Sequence, residues 1–181
     1  MIYEPSEDSY LLRKQVKKYS KNKSFLDIGA GSGIQSEEAI KSNAKKVLAV
    51  DINNESIKIL KLKNIPSIKS DLFEKVKGKF ELIVFNPPYL PEDKREDKES
   101  RLITTGGEKG DEIIIKFLEQ VKKHLTKDGK ILIVLSSLTP KKRILSKLKS
   151  KKFKKKIISK EKLFMEELEV WEISFFNNDN A

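Results

Sequence analysis

The sequence has no cysteine, a single histidine and no long apolar run, and each absence removes a class of protein. Without cysteine, the 181-residue chain forms no disulfide and has no thiolate for a metal site. With His124 as its one histidine, it also cannot build a Cys/His zinc site, and we expect no bound metal. No stretch of about 18 apolar residues occurs, which excludes a membrane-spanning helix. Because Met1–Pro5 does not begin a secretory signal, the sequence predicts a cytoplasmic protein.

Length and charge predict one domain that carries a basic segment. No linker or repeat divides the chain, so we expect a single domain over residues 1–181. The formal charge is +11, and ten lysines and arginines lie between Lys141 and Lys156 without an acidic residue. Outside this segment, the numbers of basic and acidic residues are nearly equal. Such a segment can contact RNA, a ribosome or an acidic protein face. The alternative is a solvated lysine-rich helix.

Apolar periodicity indicates alternating helices and strands. We predict helices over about 6–19, 34–42, 53–62, 111–125 and 140–148, and strands over about 25–28, 47–50, 68–70, 80–85, 131–135, 155–159 and 168–176. Alternation predicts a parallel sheet with helices on both faces. The last two strands are too close for a crossover helix and must pair antiparallel. This outline is typical of the class I S-adenosylmethionine-dependent methyltransferase fold, a Rossmann-like, seven-stranded and mostly parallel sheet with a C-terminal antiparallel hairpin. Residues 91–110 are predicted to form a long, mobile loop.

A glycine-rich segment follows the first strand. Gly29, Gly31 and Gly33 allow a tight turn and the close approach of a ligand to the backbone. Asp51, at the end of the second strand, can accept hydrogen bonds from both hydroxyls of a ribose. A dinucleotide fingerprint would place its third glycine at Ile34. The observed spacing is instead typical of loops that bind S-adenosylmethionine, which we predict as the cofactor.

Two further carboxylates follow strands. Asp71 comes after the third strand, where it can bind an adenine amino group with Leu72 against the ring. Asp27 ends the first strand and faces the methionyl ammonium of the cofactor. A glycine turn and helix-capping acids can also be purely structural. Carboxylates at three successive strand ends, together with the glycines, favour cofactor binding.

The segment Asn86-Pro87-Pro88-Tyr89 follows the fourth strand and is expected to meet the glycine loop at the topological switch point of the sheet. The Asn86 side-chain oxygen and the Pro87 carbonyl can accept both hydrogens of a planar –NH2 group. Tyr89 can pack on the face of the target amide or base. Orientation and charge stabilisation then promote methyl transfer, and Asn86, Pro87 and Tyr89 are the predicted catalytic residues. The alternative is a loop that the prolines make rigid.

This segment serves the methylation of both nucleobase amino groups and glutamine amides, so chemistry alone leaves the substrate open. Four motifs together resemble the HemK family, and most closely its short archaeal and eukaryotic branch: Tyr3–Leu12, Leu26–Gly33, Asn86–Pro91, and Gly106-Gly107 leading to Gly110. The resemblance implies a protein-glutamine N5-methyltransferase that acts on the Gly-Gly-Gln loop of the class I translation termination factor. It also implies that the cofactor contacts Ser9, Gly29, Gly31, Asp51, Asp71, Leu72 and Asn86, and that the substrate contacts Asn86, Pro87, Pro88, Tyr89 and Leu90.

The resemblance has consequences for partners. Bacterial members carry an additional N-terminal helical domain for release-factor docking, and because it is missing here we expect docking through another surface or a partner. Eukaryotic members work with a small zinc-binding activator subunit. Three other functions remain open: an RNA or DNA amino-group methyltransferase, a protein-lysine methyltransferase, and a non-enzymatic subunit that binds the cofactor and activates a partner.

Overall fold

A computed structural model describes residues 4–89 and 107–176. In these ranges the helices are α1 (Glu7–Tyr19), α2 (Ile34–Lys41), α3 (Asn54–Leu62), α4 (Glu112–Gln120) and α5 (Lys141–Ser150), with a 3₁₀ turn at Val121–His124. The strands are β1 (Ser24–Ile28), β2 (Lys46–Asp51), β3 (Ser67–Lys69), β4 (Phe80–Phe85), β5 (Leu125–Ser136), β6 (Phe153–Lys162) and β7 (Glu167–Phe175). Among the described residues, no helix is long and apolar enough to cross a membrane.

The seven strands form one sheet in the order β3-β2-β1-β4-β5-β7-β6. The first five strands along the chain pair in parallel, whereas β7 runs antiparallel to both β5 and β6. This arrangement confirms the predicted mostly parallel sheet with a C-terminal antiparallel hairpin. In β1, Ile28 lies opposite Val50 of β2 and Phe85 of β4. The three strands therefore end at the same level, and the segments that leave them meet at one edge of the sheet.

Apolar side chains cover both faces of the sheet. One hydrophobic cluster contains Phe117 of α4 and Ile144 of α5. The opposite cluster contains Leu12 of α1 and Leu60 of α3. Consecutive residues of a strand point to opposite faces, so the central strands need apolar residues at nearly every position. This requirement explains why their sequences are mostly apolar, with Asp27 in β1 and Glu81 in β4 among the exceptions.

The structure corrects the end of the fourth helix. The prediction placed residues up to about 125 in this helix, but α4 ends at Gln120 and Leu125 already pairs with Phe80 in the sheet. The buried apolar residues at 121 and 125 fit one face of a helix. Leu125 is nevertheless in a strand, because it pairs with Phe80 of β4. His124 lies in the intervening 3₁₀ turn, where its ring stacks on Phe73 at a centroid distance of 4.9 Å. Of the predicted loop over 91–110, residues 91–106 lie outside the described residues.

The basic segment Lys141–Lys156 forms α5 and the first part of β6, the outermost strand of the sheet. Part of its charge is neutralised by acids from elsewhere in the chain. Arg143 pairs with the buried Asp111 at 2.8 Å, Lys147 with Glu119 at 2.8 Å, and Lys141 with Glu169 at 3.3 Å. The local sequence, which contains no acid, does not indicate these partners.

Gly33 gives a test of the packing between α2 and α3. Its φ of 86° is left-handed, and an added Cβ would lie 2.7 Å from Leu60 and 3.0 Å from Ile65, both buried. Strain and overlap together should make Gly33→Ala lower the free energy of unfolding by about 2 kcal/mol or more. Gly31 is also left-handed, but an added Cβ meets no atom of the described residues within 4 Å, so Gly31→Ala should cost only about 1 kcal/mol. Urea denaturation measures both, and equal losses would contradict the packing argument.

Candidate active site

A cavity of about 840 Å³ lies at the edge where β1, β2 and β4 end. Its volume is within the range of about 300–1,000 Å³ that is usual for small-molecule sites. Both predicted motifs line it: the glycine loop supplies Gly29, Gly31 and Ser32, and the fourth strand is followed by Asn86 to Tyr89. The N-terminal segment Pro5–Ser9 forms another part of the wall. The structure therefore brings the two predicted half-sites together.

The lining is acidic. Six carboxylates contribute to it, and none of the described residues that line it is Lys, Arg or His: the acids are Glu7, Asp8, Asp27, Asp51, Asp71 and Glu166. A cavity of this kind attracts cations and repels phosphate groups. This property favours a positively charged ligand over a dinucleotide.

Asp27 is the most buried of these acids, with 2% of its surface exposed. Its Oδ2 accepts hydrogen bonds from the Ser36 backbone N–H at 3.1 Å and from the Ser36 hydroxyl at 2.7 Å. Burial nevertheless raises the pKa of Asp27 to about 7, and the charge of Asp51 adds to the increase. A cation beside this carboxyl would favour its ionised form.

Asp51 holds the glycine loop in place. Its Oδ2 accepts from the Gly31 N–H and its Oδ1 from the Asn53 N–H, both at 2.8 Å. Each carboxylate oxygen keeps a further lone pair for a ligand hydroxyl. Asp51 thus has an observed structural role, and its contact with a ribose stays a prediction.

Asp71 and Leu72 lie at the same cavity after β3. Lys116 of α4 donates to Asp71 Oδ2 at 2.5 Å and leaves Oδ1 for another donor. Leu72 has a φ of 46°, which is uncommon for a residue with a side chain. Strained backbone of this type often occurs at ligand sites, and here it places a buried leucine in the cavity wall.

Helix α1 contacts the Asn86–Tyr89 segment directly. The Asn86 Nδ2 donates to Ser9 Oγ at 3.4 Å, and the Tyr89 hydroxyl donates to Asp8 Oδ2 at 3.2 Å. The Ser9 carbonyl accepts from Gln35 Nε2 at 2.9 Å. Asn86 Oδ1 is buried and has no hydrogen-bond partner among the described residues. Because such orphaned acceptors are costly, this atom is expected to bind a donor from a ligand.

Three side chains in or next to the cavity are not among the predicted site residues. In the sequence, Asp8 resembles a helix first-turn acid, Gln35 lies within a predicted helix, and Lys116 resembles an ordinary surface lysine. Each is defined by a partner far away in the sequence, and the local pattern carries no signal for it. The predicted Leu90 lies outside the described residues. Among the described residues, no cluster of three potential metal ligands occurs.

Comparison with known proteins identifies the family. The methyltransferase small domain matches residues 6–164. The chain belongs to the methyltransferase small-domain family. It is 43% identical over 177 residues to a predicted protein N5-glutamine methyltransferase of Methanocaldococcus jannaschii, covering 93% of this chain and 89% of the relative. It is 40% identical over 108 residues to the release factor glutamine methyltransferase of Buchnera aphidicola, where the match spans 52% of this chain and 39% of the relative.

Solved structures share the fold of this methyltransferase. A chain of the E. cuniculi Mtq2–Trm112 complex, which methylates the eRF1 translation termination factor, superposes with a TM-score of 0.79 at 23% identity, covering 97% of this chain and 99% of that one. The ribosomal protein L11 methylase of Lactobacillus delbrueckii has a TM-score of 0.71 at 24% identity, covering 96% of this chain and 82% of that one. The predicted class I methyltransferase fold and the predicted family resemblance are therefore confirmed.

The buried Asp27 predicts a pH-dependent stability. Its pKa is raised in the folded state, so the folded chain binds this proton more tightly than the unfolded chain. Stability from this group is therefore complete below about pH 4 and is lost as the pH rises to about 7. In Asp27→Asn this loss is absent, and we expect the cofactor-free variant to melt at a higher temperature than the wild type at about pH 8, with the difference growing between about pH 4 and pH 7.

Differential scanning fluorimetry across that pH range measures this effect. Glu7→Gln is the control, because it removes an exposed carboxylate that lines the same cavity, and it should leave the pH dependence above about pH 5 unchanged. A wild type as stable as Asp27→Asn at alkaline pH would show that burial of this carboxyl is not destabilising.

Proposed function

We propose that this methyltransferase transfers a methyl group from S-adenosylmethionine to the side-chain amide N5 of a glutamine in the Gly-Gly-Gln loop of a translation termination factor. The observation that carries the proposal is Asn86 Oδ1, which has no hydrogen-bond partner within residues 4–89 and 107–176 and lies next to Pro87 at the edge of the acidic cavity. An orphaned acceptor at this place suits an –NH2 donor.

The cavity fits the cofactor in charge and in shape. S-adenosylmethionine supplies a methyl group on a sulfonium and carries two positive charges and one negative charge, without phosphate. The acidic lining suits this net positive charge. In the part of the chain that the structure describes, no atom lies within 4 Å of a Cβ added at Gly31, so the loop leaves open space for a ligand. Asp27 would pair with the ammonium, Asp51 would accept from the ribose, and Asp71 with Leu72 would bind the adenine, while Ser9 and Gly29 complete the wall.

The residues around the acceptor position a nitrogen and do not activate it with a strong base. Asn86 Oδ1 and the Pro87 carbonyl would accept the two hydrogens of the substrate amide, and Pro88 keeps that backbone rigid. Such positioning directs the nitrogen lone pair at the methyl carbon. The new N–C bond would form as the bond between the methyl group and the sulfonium breaks and leaves a neutral thioether. The N–H proton would become acidic as this happens, and it would leave to water. The Tyr89 ring is held by Asp8 through its hydroxyl, and it would pack on the substrate.

Two observations favour an amide in a protein over a nucleobase. The M. jannaschii relative carries the name of a protein N5-glutamine methyltransferase and is similar over nearly its whole length. The acidic lining also repels a polyanion.

An RNA substrate, or a ribosome contact, would rely on Lys141–Lys156, where Lys141, Arg143 and Lys147 already pair with acids. For a lysine substrate, the ammonium would first have to lose a proton, and the amide and carbonyl oxygens here are weak bases.

The proposal includes a partner. The E. cuniculi chain with the same fold belongs to a complex with Trm112. By analogy, this methyltransferase would work with a partner subunit. The resemblance to the HemK family implies that this partner is a small zinc-binding activator, and we expect the pair to act in the cytoplasm. Because this chain has no cysteine and one histidine, the zinc ligands would belong to the partner.

The substrate is tested with labelled S-adenosylmethionine. Termination factor, the same factor with its loop glutamine changed to asparagine, and total RNA are incubated separately with the enzyme, with and without the zinc-binding partner. We expect label only in the factor that retains the glutamine. Label in RNA alone would refute the glutamine assignment, and label in the asparagine variant would place the methyl group elsewhere on the factor.

Removal of the Asn86 carboxamide tests the positioning role. Asn86→Ala should lower kcat by about 100-fold or more, because the amide nitrogen loses an acceptor that orients it. The Kd of S-adenosylmethionine, measured by calorimetry on the same variant, should change by no more than about threefold, since most cofactor contacts lie in the loop and at Asp27, Asp51 and Asp71. A variant with wild-type kcat would exclude this role for Asn86.

A further inference from the structure

The turn between β6 and β7 presents two large apolar side chains to solvent. In the four-residue turn Leu163–Glu166, the Leu163 N–H donates to the Glu166 carbonyl at 2.8 Å. Phe164 and Met165 occupy the two central positions, and they are 97% and 78% exposed. Polar residues, glycine and proline are usual at such positions. Local preference therefore does not explain this pair, and exposed apolar side chains side by side at a turn tip suggest a contact with another molecule.

The turn is fixed in place by its neighbours. The Ser137 N–H donates to the Glu167 carbonyl at 2.8 Å, and the Glu167 N–H donates to Ser137 Oγ at 3.0 Å. The Ser136 hydroxyl donates to the Glu166 carboxylate. These bonds tie the turn to the segment after β5. Phe164 and Met165 are thus held on a rigid support, which lowers the entropic cost of using them in a contact.

The same turn belongs to the wall of the active site. Leu163 and Glu166, on either side of the exposed pair, line the cavity together with Tyr89. Leu163 and Tyr89 also pack against one hydrophobic cluster. Thr139, in the segment that holds the turn, donates through Oγ1 to the Tyr89 carbonyl at 3.3 Å. A macromolecule that inserts a side chain between Asn86 and Tyr89 must therefore cover the rim on which Phe164 and Met165 lie.

We propose that Phe164 and Met165 form a docking contact for the protein that presents the methyl-accepting amide, and that they insert into an apolar depression beside the loop that carries the glutamine. This inference rests on the proposed function. The chemistry of the rim favours a protein over a nucleic acid, because Glu166 and Glu7, which both line the cavity, are acidic. Exposed aromatic and methionine side chains are typical anchors of protein interfaces.

The test uses the double variant Phe164→Ala/Met165→Ala in methylation assays on full-length termination factor, with the zinc-binding partner present. We expect the KM for the factor to rise by about tenfold or more, with kcat at saturation nearly unchanged. The Kd of S-adenosylmethionine and the melting temperature should stay at wild-type values, since both side chains are exposed. The matched control is Phe176→Ala, which removes an exposed phenylalanine (58%) at the opposite end of β7. Its KM should remain within about twofold of wild type.

Three outcomes would overturn the docking contact. The first is an unchanged KM in an enzyme whose wild type methylates the factor, which leaves the proposed function intact. The second is a KM that recovers when the zinc-binding partner is raised to saturation, which would assign the contact to that partner. The third is a wild-type dimer, seen by analytical ultracentrifugation, that the double variant dissociates. If the wild type itself labels RNA and not the factor, the proposed function fails, and the docking contact fails with it.

Discussion

The active-site cavity depends on the parallel pairing of β1 with β2 and β4. Because Ile28 is level with Val50 and Phe85, the chain leaves three strands at one height, and the glycine loop, Asp51 and Asn86 converge there. A central strand that is buried on both faces tolerates only apolar residues. Asp27 is the exception in β1, and its carboxyl is buried within the sheet that organises the site. At this residue, close packing of the sheet disfavours the charge that would face the cavity. The raised pKa of Asp27 is a consequence of this burial.

Charge selects the class of ligand before any specific contact does. A phosphate-bearing cofactor in a strand-to-helix site normally finds backbone N–H groups and often a basic side chain. Here the Gly31 N–H is already bound to Asp51, and the described lining contains acids without a basic residue. This glycine loop therefore suits a cationic ligand. In dinucleotide enzymes, the similar loop binds a pyrophosphate. The same negative field disfavours a nucleotide, which brings its phosphates, relative to a neutral amide.

Those parts of the fold and site that depend on short stretches of sequence were predictable. The strands before Gly29 and Asn86, the α3 cap at Asn53 and the final hairpin follow from local apolar patterns and turn residues. What could not be predicted depends on pairs of residues that are distant in sequence. Asp8 resembles a first-turn acid until Tyr89 is brought to it, Lys116 resembles a surface lysine until it meets Asp71, and Arg143 resembles part of a basic patch until Asp111 is buried beneath it. The predicted end of α4 was wrong for a related reason. Leu125 fits the apolar face of a helix, but it pairs with Phe80 in the sheet.

Because β6 is an outermost strand of the sheet, its lysines also affect how two copies of the chain can associate. A border strand exposes unpaired backbone groups along one side, and a second sheet can extend it into an aggregate. In β6 the side chains of Lys154, Lys155 and Lys156 are consecutive, so both faces of the border carry positive charge. Two copies that approach border to border therefore repel each other. Consecutive lysines on an outermost strand thus act against edge-to-edge aggregation of the folded chain.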